Sequence, residues 1–224
     1  MLLSATLRTF LLPISRVAFR PEVHGAANVP RTGPVILAAN HLSFVDSFLI
    51  PLMTPRRVSF LAKQEYFEGG GVRRWATREL LTGIDAIPVP RGGYRAAQEA
   101  LEVALNVLGK GGAFGIHPEG SRSRDGRLYR GRTGVAWLAI ASGAPVVPVA
   151  LSGTERIQPV GAPFPRPGKV IVRFGTPMTF ERQEKRGGTG PARREATDKI
   201  MAAIAALSGQ EVADEYNELS SGAI

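Results

Sequence analysis

The chain has 224 residues, 44% of them hydrophobic, which is enough to bury the core of one sizeable globular domain. It has no cysteine and only three histidines, which excludes disulfides, a thiolate nucleophile and a zinc site built from Cys and His. The formal net charge of +9 predicts an anionic partner: a membrane surface, a phosphorylated substrate or nucleic acid. The aromatic residues are not interleaved with the basic ones, as a surface for single-stranded nucleic acid would require.

The first twenty residues combine leucine, isoleucine and phenylalanine with Arg8, Arg16 and Arg20. No uncharged stretch reaches the roughly 20 residues that a membrane-spanning helix needs. A signal peptide is not expected, because no basic residue precedes Arg8 and no clear cleavage site follows. Pro13 is expected to break or kink a helix here. The composition suits an amphipathic segment in the membrane interface, but a terminal helix packed on its own domain fits equally well.

Residues 38–47 contain the polar side chains most suggestive of a functional site. They follow the apolar run 34–37, which predicts a buried strand of a parallel sheet. His41 and Asp46 are five residues apart, roughly 500° around a helix, so they can meet only if His41 lies in the turn and Asp46 begins the next helix. The carboxylate would then accept from one imidazole nitrogen and leave the other able to take a proton. A buried histidine with Asp46 as a helix N-cap is the alternative.

Hydrophobic periodicity predicts alternating strands and helices, and so one α/β domain spanning residues 21–208. Strands are expected at 56–63, 85–91, 112–117, 145–151 and 169–174, and helices at 72–81, 94–108, 133–142 and 192–207. The prolines Pro88 and Pro90 predict an edge strand at the second of these strand ranges. Residues 209–224 are expected to form a poorly ordered acidic tail.

The densest positive charge in the chain directly follows the strand predicted at 112–117. Its arginines are Arg122, Arg124, Arg127, Arg130 and Arg132. A glycine at a strand end precedes them, where backbone N–H groups and guanidinium forks can bind an oxyanion. This placement favours anion binding over a solvated surface. His117, at the end of the same strand, is expected to be structural rather than catalytic.

Four sequence blocks resemble, in the same order, those of the glycerolipid acyltransferases. Residues 40–46 resemble the family's NHxxxxD signature, and residues 85–91 its second block, an apolar strand ending in arginine. Residues 118–123 resemble the third block, usually PEGTRS, and residues 144–149 the fourth, an apolar strand with prolines. Two departures are a serine for threonine at Ser121 and the absence of the usual phenylalanine from the second block.

The resemblance implies transfer of a fatty acyl group from acyl-CoA or acyl carrier protein to the free hydroxyl of lysophosphatidate, giving phosphatidate in phospholipid biosynthesis. It also implies a single domain with a mixed, mostly parallel sheet flanked by helices. His41 would be the general base and Asp46 would fix its tautomer. No metal, cofactor or enzyme nucleophile is expected. The predicted acceptor site consists of Arg91, Glu119, Gly120, Ser121 and Arg122.

The expected partners are a lysophospholipid, an acyl donor and a membrane surface, with no nucleic acid. The protein is expected to be peripheral on the cytoplasmic face of the cell membrane, attached through residues 1–20. Two alternatives stay open. One is an acyltransferase acting on glycerol 3-phosphate, another lysophospholipid or a glycolipid. The other is a non-catalytic basic protein that binds membranes or nucleic acid, which explains the charge but not the placement of His41 and Asp46.

Overall fold

Strands and helices alternate along most of the chain in the computed structural model, which describes residues 2–89, 93–162, 164–183 and 187–218. The helices are α1 (Leu2–Phe19), α2 (Asp46–Met53), α3 (Val72–Gly83), α4 (Gly93–Gly109), α5 (Gly134–Ser142), α6 (Thr154–Ile157) and α7 (Gly190–Ser208). The strands are β1 (Glu22–His24), β2 (Val35–Ala39), β3 (Ser59–Lys63), β4 (Ile87–Val89), β5 (Ala113–Ile116), β6 (Leu128–Tyr129), β7 (Val146–Ser152), β8 (Ile171–Phe174) and β9 (Val212–Ala213).

Seven strands form one sheet in the order β1-β8-β7-β2-β5-β3-β4. Every neighbouring pair in it is parallel except β7 and β8, which run antiparallel. The predicted mixed, mostly parallel sheet is therefore confirmed. The proline-containing strand β4 lies at the edge of the sheet, as expected, because a proline has no N–H to donate to a neighbour.

The central strand β2 is buried on both faces, which explains its unbroken apolar sequence. Its side chains alternate between two core clusters. Leu37 packs in the cluster that contains Leu49 of α2. Ile36 packs on the opposite face, in the cluster that contains Leu138 of α5 and Ile200 of α7. Helices therefore cover both faces of the sheet, and each fully buried aliphatic side chain contributes about 1.5–3 kcal/mol.

Helix α1 runs without interruption through Pro13. The sequence predicted a break or a kink at this proline, and the break does not occur. Its end docks on the domain, because the carbonyls of Ala18 and Phe19 accept hydrogen bonds from the backbone N–H groups of Gly168 and Val170. No helix within the described ranges is long and apolar enough to cross a membrane.

Residues 210–217, which follow α7, are ordered. The prediction of a poorly ordered tail is therefore wrong for these residues. Strand β9 pairs in parallel with β6, Val212 opposite Leu128 and Ala213 opposite Tyr129. We call residues 210–217 the C-terminal strap, and residues 122–132 the arginine segment. The strap lies along the arginine segment, at the end of the sheet where the candidate site lies.

Candidate active site

The site forms where three parallel strands end side by side. Strand β2 lies between β5 and β7, with Ala38 opposite both Ile116 and Pro148. The loops that follow β2 and β5 therefore leave the same edge of the sheet next to each other. This is the edge at which open α/β sheets place their ligands. It brings the turn at His41 beside the loop that starts at His117.

His41 and Asp46 meet as their spacing predicted. His41 lies in the turn after β2, and Asp46 is the first residue of α2. The imidazole Nδ1 is 3.0 Å from Asp46 Oδ2. The same oxygen accepts from the backbone N–H groups of Leu42 and Ser43, each at 2.7 Å. Because Asp46 is fully buried and held by three donors, it fixes both the turn and the orientation of the imidazole.

The charge state of Asp46 sets the tautomer of His41. Burial alone would raise the pKa of Asp46, but the hydrogen bond from His41, the electrostatic attraction of the protonated His41 ring and the hydrogen bond from the Ser43 N–H hold that pKa below its usual value. An ionised carboxylate can only accept, so the imidazole carries a proton on Nδ1. Its Nε2 makes no hydrogen bond to a residue in the described ranges and is the nitrogen that can take a proton.

The ring of His117 stacks on the ring of His41, with centroids 3.9 Å apart and planes 9° from parallel. Its Nδ1 lies 3.2 Å from the carbonyl oxygen of Ala39 and 3.0 Å from that of Asn40, and its Nε2 lies 3.2 Å from the Ser47 hydroxyl. Burial, reinforced by the nearby His41, lowers the pKa of His117 to about 3. His117 is therefore neutral, in keeping with a structural role, and forms a flat wall beside His41. The sequence placed it near the site but did not reveal this contact.

Glu119 joins the His41 turn to the arginine segment. Its side chain is fully buried; Oε1 accepts from the backbone N–H of His41 at 2.9 Å and Oε2 from that of Tyr129 at 3.0 Å. Burial outweighs these two hydrogen bonds and raises the pKa of Glu119 to about 7. Both oxygens already have partners inside the protein, so the geometry supports positioning of His41. Direct contact of Glu119 with the acceptor stays a prediction.

The other predicted acceptor residues lie on the loop after β5. Gly120 has a φ of +78°, a left-handed conformation that glycine adopts without strain, and its N–H donates to the carbonyl of His117. The carbonyls of Ser121 and Arg122 both accept from the side chain of Asn217. Arg122 is partly exposed, and its guanidinium makes no hydrogen bond or ion pair with any residue that the structure describes. Arg91 lies outside the described residues.

The remaining arginines of the segment differ in their partners. Arg127 pairs with Asp125 at 2.7 Å and with Glu215 at 3.3 Å. Arg130 and Arg132 each lie over the ring of Tyr216, at 5.4 Å from its centroid. Arg124 is exposed and, like Arg122, has no such partner in the part of the chain that the structure covers. The segment therefore leaves two of its guanidinium groups open to an anionic ligand.

Two polar side chains of the turn hold it to distant parts of the chain. Asn40 is fully buried, and its amide both accepts from Leu151 N–H at 2.8 Å and donates to the carbonyl of Leu151 at 3.0 Å. The hydroxyl of Ser43 donates to the carbonyl of Gln158 at 2.8 Å. The polar letters of the motif signalled both residues, but their partners could not be read from the sequence.

The sequence of the chain is similar to those of known proteins. The Acyltransferase family model matches residues 20–152. The chain is 30% identical over 145 residues to the chloroplastic 1-acyl-sn-glycerol-3-phosphate acyltransferase BAT2 of Brassica napus, covering 64% of this chain and 40% of that protein. It is 30% identical over 165 residues to the 1-acyl-sn-glycerol-3-phosphate acyltransferase alpha of Mus musculus, covering 72% of this chain and 56% of that one. The chain thus spans about half the length of these curated relatives.

A solved structure shares the fold. The 1-acyl-sn-glycerophosphate (LPA) acyltransferase PlsC from Thermotoga maritima matches with a TM-score of 0.62 and 26% sequence identity. The match covers 88% of this chain and 80% of that one. The fold of this chain is therefore one already seen in a protein of that description.

Proposed function

This chain belongs to the acyltransferase family, and we propose that it transfers a fatty acyl group from acyl-CoA or acyl carrier protein to the free hydroxyl of lysophosphatidate, giving phosphatidate. The observation that carries this proposal is the His41–Asp46 pair beside the loop of Arg122, at the edge where β2 and β5 end. In acylation of a phosphate-bearing alcohol, a general base can accept the hydroxyl proton and an open arginine can bind the phosphate.

In the proposed mechanism, Nε2 of His41 removes the proton from the acceptor hydroxyl while Nδ1–H remains bonded to Asp46. The acceptor oxygen attacks the thioester carbonyl, forms the new C–O bond and gives a tetrahedral intermediate. Collapse of the intermediate breaks the C–S bond, and the proton on His41 passes to the leaving thiolate. The charge of Asp46 stabilises the imidazolium between these steps. The reaction needs no acyl-enzyme intermediate, in agreement with a chain that has no cysteine.

The acceptor phosphate is assigned to Arg122, because its guanidinium makes no ion pair within the described residues and follows the glycine turn at Gly120. Ser121 and Arg91 are proposed to contribute on the strength of the family resemblance. Glu119 is proposed to act indirectly, by holding the N–H of His41. The net charge of +9 would attract an anionic lipid to the site.

Because the proposed acceptor is a lipid, the protein must reach a membrane surface. Ile14 and Val17 on α1 are 62% and 81% exposed, and Arg16 and Arg20 lie beside them in sequence. Exposed aliphatic side chains next to arginines suit the interface of an anionic bilayer, where each basic residue contributes about 1 kcal/mol. We place the protein at the cytoplasmic face of the cell membrane, as a peripheral protein bound through residues 1–20.

A panel of acceptors tests the substrate. The wild-type protein is incubated with one labelled acyl-CoA, or acyl carrier protein, and with lysophosphatidate, glycerol 3-phosphate, another lysophospholipid or a glycolipid in turn. The products are separated by lipid chromatography. Phosphatidate formed fastest from lysophosphatidate is the expected result. Faster acylation of another acceptor would change the substrate. Absence of product from every donor and acceptor pair would favour the non-catalytic basic protein.

A further inference from the structure

The C-terminal strap follows the arginine segment by backbone hydrogen bonds. The N–H of Leu128 donates to the carbonyl of Glu211 at 2.8 Å, and the N–H of Arg130 to the carbonyl of Glu215 at 2.9 Å. With the β6–β9 pairing, these bonds fix the conformation of the arginine segment. A segment with so many charged side chains would otherwise be expected to move in solvent.

The strap also selects which arginines stay open. Glu215 pairs with Arg127, and the ring of Tyr216 lies against both Arg130 and Arg132. The Tyr216 hydroxyl accepts from Arg194 of α7 at 3.2 Å, which anchors the ring from its other end. Three of the five guanidinium groups are thus engaged at the strap side of the segment. Arg122 and Arg124 are the two that it leaves open.

The side chain of Asn217 fixes the backbone at Arg122. Its Nδ2 donates to the carbonyl of Ser121 at 3.2 Å and to that of Arg122 at 3.1 Å. The carbonyl of Asn217 itself accepts from Arg132 at 3.1 Å. One amide therefore holds the carbonyls on either side of the Arg122 Cα. The direction in which the Arg122 side chain leaves the loop depends on that constraint.

The strap reaches the His41 turn by two separate routes. Gln210 accepts from the amide of Asn40 at 2.7 Å and donates to the carbonyl of Gly126, also at 2.7 Å. Through β6, the strap also supports Tyr129, whose N–H holds Glu119, which in turn holds the N–H of His41. The strap is thus connected both to the candidate base and to the candidate phosphate ligand.

We infer that the C-terminal strap is a positioning element of the acceptor site. Asn217 aims Arg122 at the acceptor phosphate, and Gln210 holds the His41 turn at a fixed distance from it. This inference rests on the proposed function, since it assigns the strap a task in the same reaction. Neither residue touches the reacting atoms, so both are positioning residues.

Kinetics of Asn217→Ala with lysophosphatidate test the inference. The KM for lysophosphatidate is expected to rise about 3- to 10-fold with kcat nearly unchanged, which is the size of effect that loss of neutral hydrogen bonds produces. Gln210→Ala is expected to lower kcat by a similar factor with little change in KM. Asp214→Ala is the matched control, because Asp214 is an exposed residue of the strap whose side chain makes no hydrogen bond or ion pair with the described residues.

A double-mutant cycle separates positioning from general support of the fold. In an Arg122→Ala background, Asn217→Ala should add almost nothing to the KM, because the group that it aims is gone. An equal effect of Asn217→Ala in both backgrounds would overturn the inference. Wild-type kinetics for Asn217→Ala and Gln210→Ala would do the same.

Amide hydrogen exchange tests the strap without relying on activity. Exchange at residues 121–132 is expected to be faster in Asn217→Ala than in the wild type or in Asp214→Ala, since the loop loses its anchor. Unchanged exchange would overturn the positioning role. If the wild-type protein makes no phosphatidate, the proposed function is refuted. Faster exchange in Asn217→Ala would in that case still show that the strap holds the loop.

Discussion

The imidazole of His117 lies parallel to that of His41, with 3.9 Å between the ring centroids. Only one of the two rings is bonded to a carboxylate, since His41 contacts Asp46 while His117 is bonded to two backbone carbonyls and a serine hydroxyl. The neutral ring covers one face of the candidate base and restricts its plane. The two histidines should therefore differ in what their removal does: His117 affects stability with pH, and His41 affects turnover.

The first prediction is that His117 makes the fold sensitive to acid. The pKa of His117 falls from 6.5 to about 3 on folding. Between these pH values His117 is protonated in the unfolded chain but not in the folded protein. The stability that this residue contributes is complete above about pH 6.5 and is lost as the pH falls towards 3. Urea unfolding of the wild type and His117→Phe at about pH 4.5 and about pH 7 measures this, and the variant should lose less stability on acidification. If the free energy of unfolding of His117→Phe changed with pH as much as that of the wild type, the prediction would be contradicted. His24→Gln, at an exposed histidine, is the control.

Glu119 should act in the opposite direction. Its pKa rises from 4.5 to about 7 on folding, so the folded protein holds a proton that the unfolded chain releases. The associated stability is present below pH 4.5 and is lost as the pH rises through about 7. Glu119→Gln should remove this dependence and, by leaving one backbone N–H without an acceptor, lower the free energy of unfolding by about 1–3 kcal/mol. Unfolding curves of the wild type and Glu119→Gln at several pH values measure this dependence, and Glu218→Gln, at an exposed position, is the control. An unchanged pH slope in Glu119→Gln would show that burial does not govern this carboxyl group.

Arg122→Ala should weaken use of a phosphate-bearing acceptor. Loss of a charge-assisted, two-pronged contact predicts a rise of about 10- to 100-fold in the KM for lysophosphatidate. Arg122→Lys should recover only part of this, because lysine lacks the planar fork. Arg166→Ala is a charge-matched control at an exposed position outside the arginine segment. If Arg122→Ala kept wild-type acceptor kinetics over a full concentration series, the phosphate site would have to be moved, with Arg124 as the next candidate.

Membrane attachment through α1 can be tested without deleting it. Deletion of residues 1–20 would also remove the carbonyls of Ala18 and Phe19 that hold Gly168 and Val170, so a point variant is the sharper test. Val17→Asp should reduce co-sedimentation with vesicles that contain anionic lipid, and high salt should reduce binding further.

The control for this prediction is Val160→Asp, which adds the same charge at another exposed valine, 38% exposed compared with 81% for Val17. Equal binding of both variants would show that α1 is a packed part of the domain. Loss of wild-type binding in salt alone would indicate that charge is the main anchor.

Local patterns in the sequence predicted much of the fold and the centre of the site. The contact of His41 with Asp46 spans five residues, so helix geometry alone limited where both could lie. The edge strand β4 was signalled by the prolines in its predicted range, of which Pro88 lies in the strand, and the buried strand β2 by its unbroken apolar run. These features depend on neighbours in the chain, which is why they could be predicted.

The remaining contacts depend on strand order and chain return, which periodicity does not encode. Glu119 is 78 residues from His41, and Gln210 is 170 residues from Asn40. Strands β1, β6 and β9 have only two or three residues each, too few to show an alternating pattern. The acidic composition after Gly209 suggested disorder, yet Glu215 of the strap pairs with Arg127, which lies 88 residues earlier in the arginine segment.

Turnover by His41→Ala tests the central claim most directly. With lysophosphatidate and labelled acyl-CoA, a general base predicts a fall in kcat of about 10²–10⁴-fold while the circular dichroism spectrum stays that of the wild type. His24→Ala, at an exposed histidine away from the site, should keep the wild-type rate. Near-normal phosphatidate formation by a folded His41→Ala protein would contradict the account.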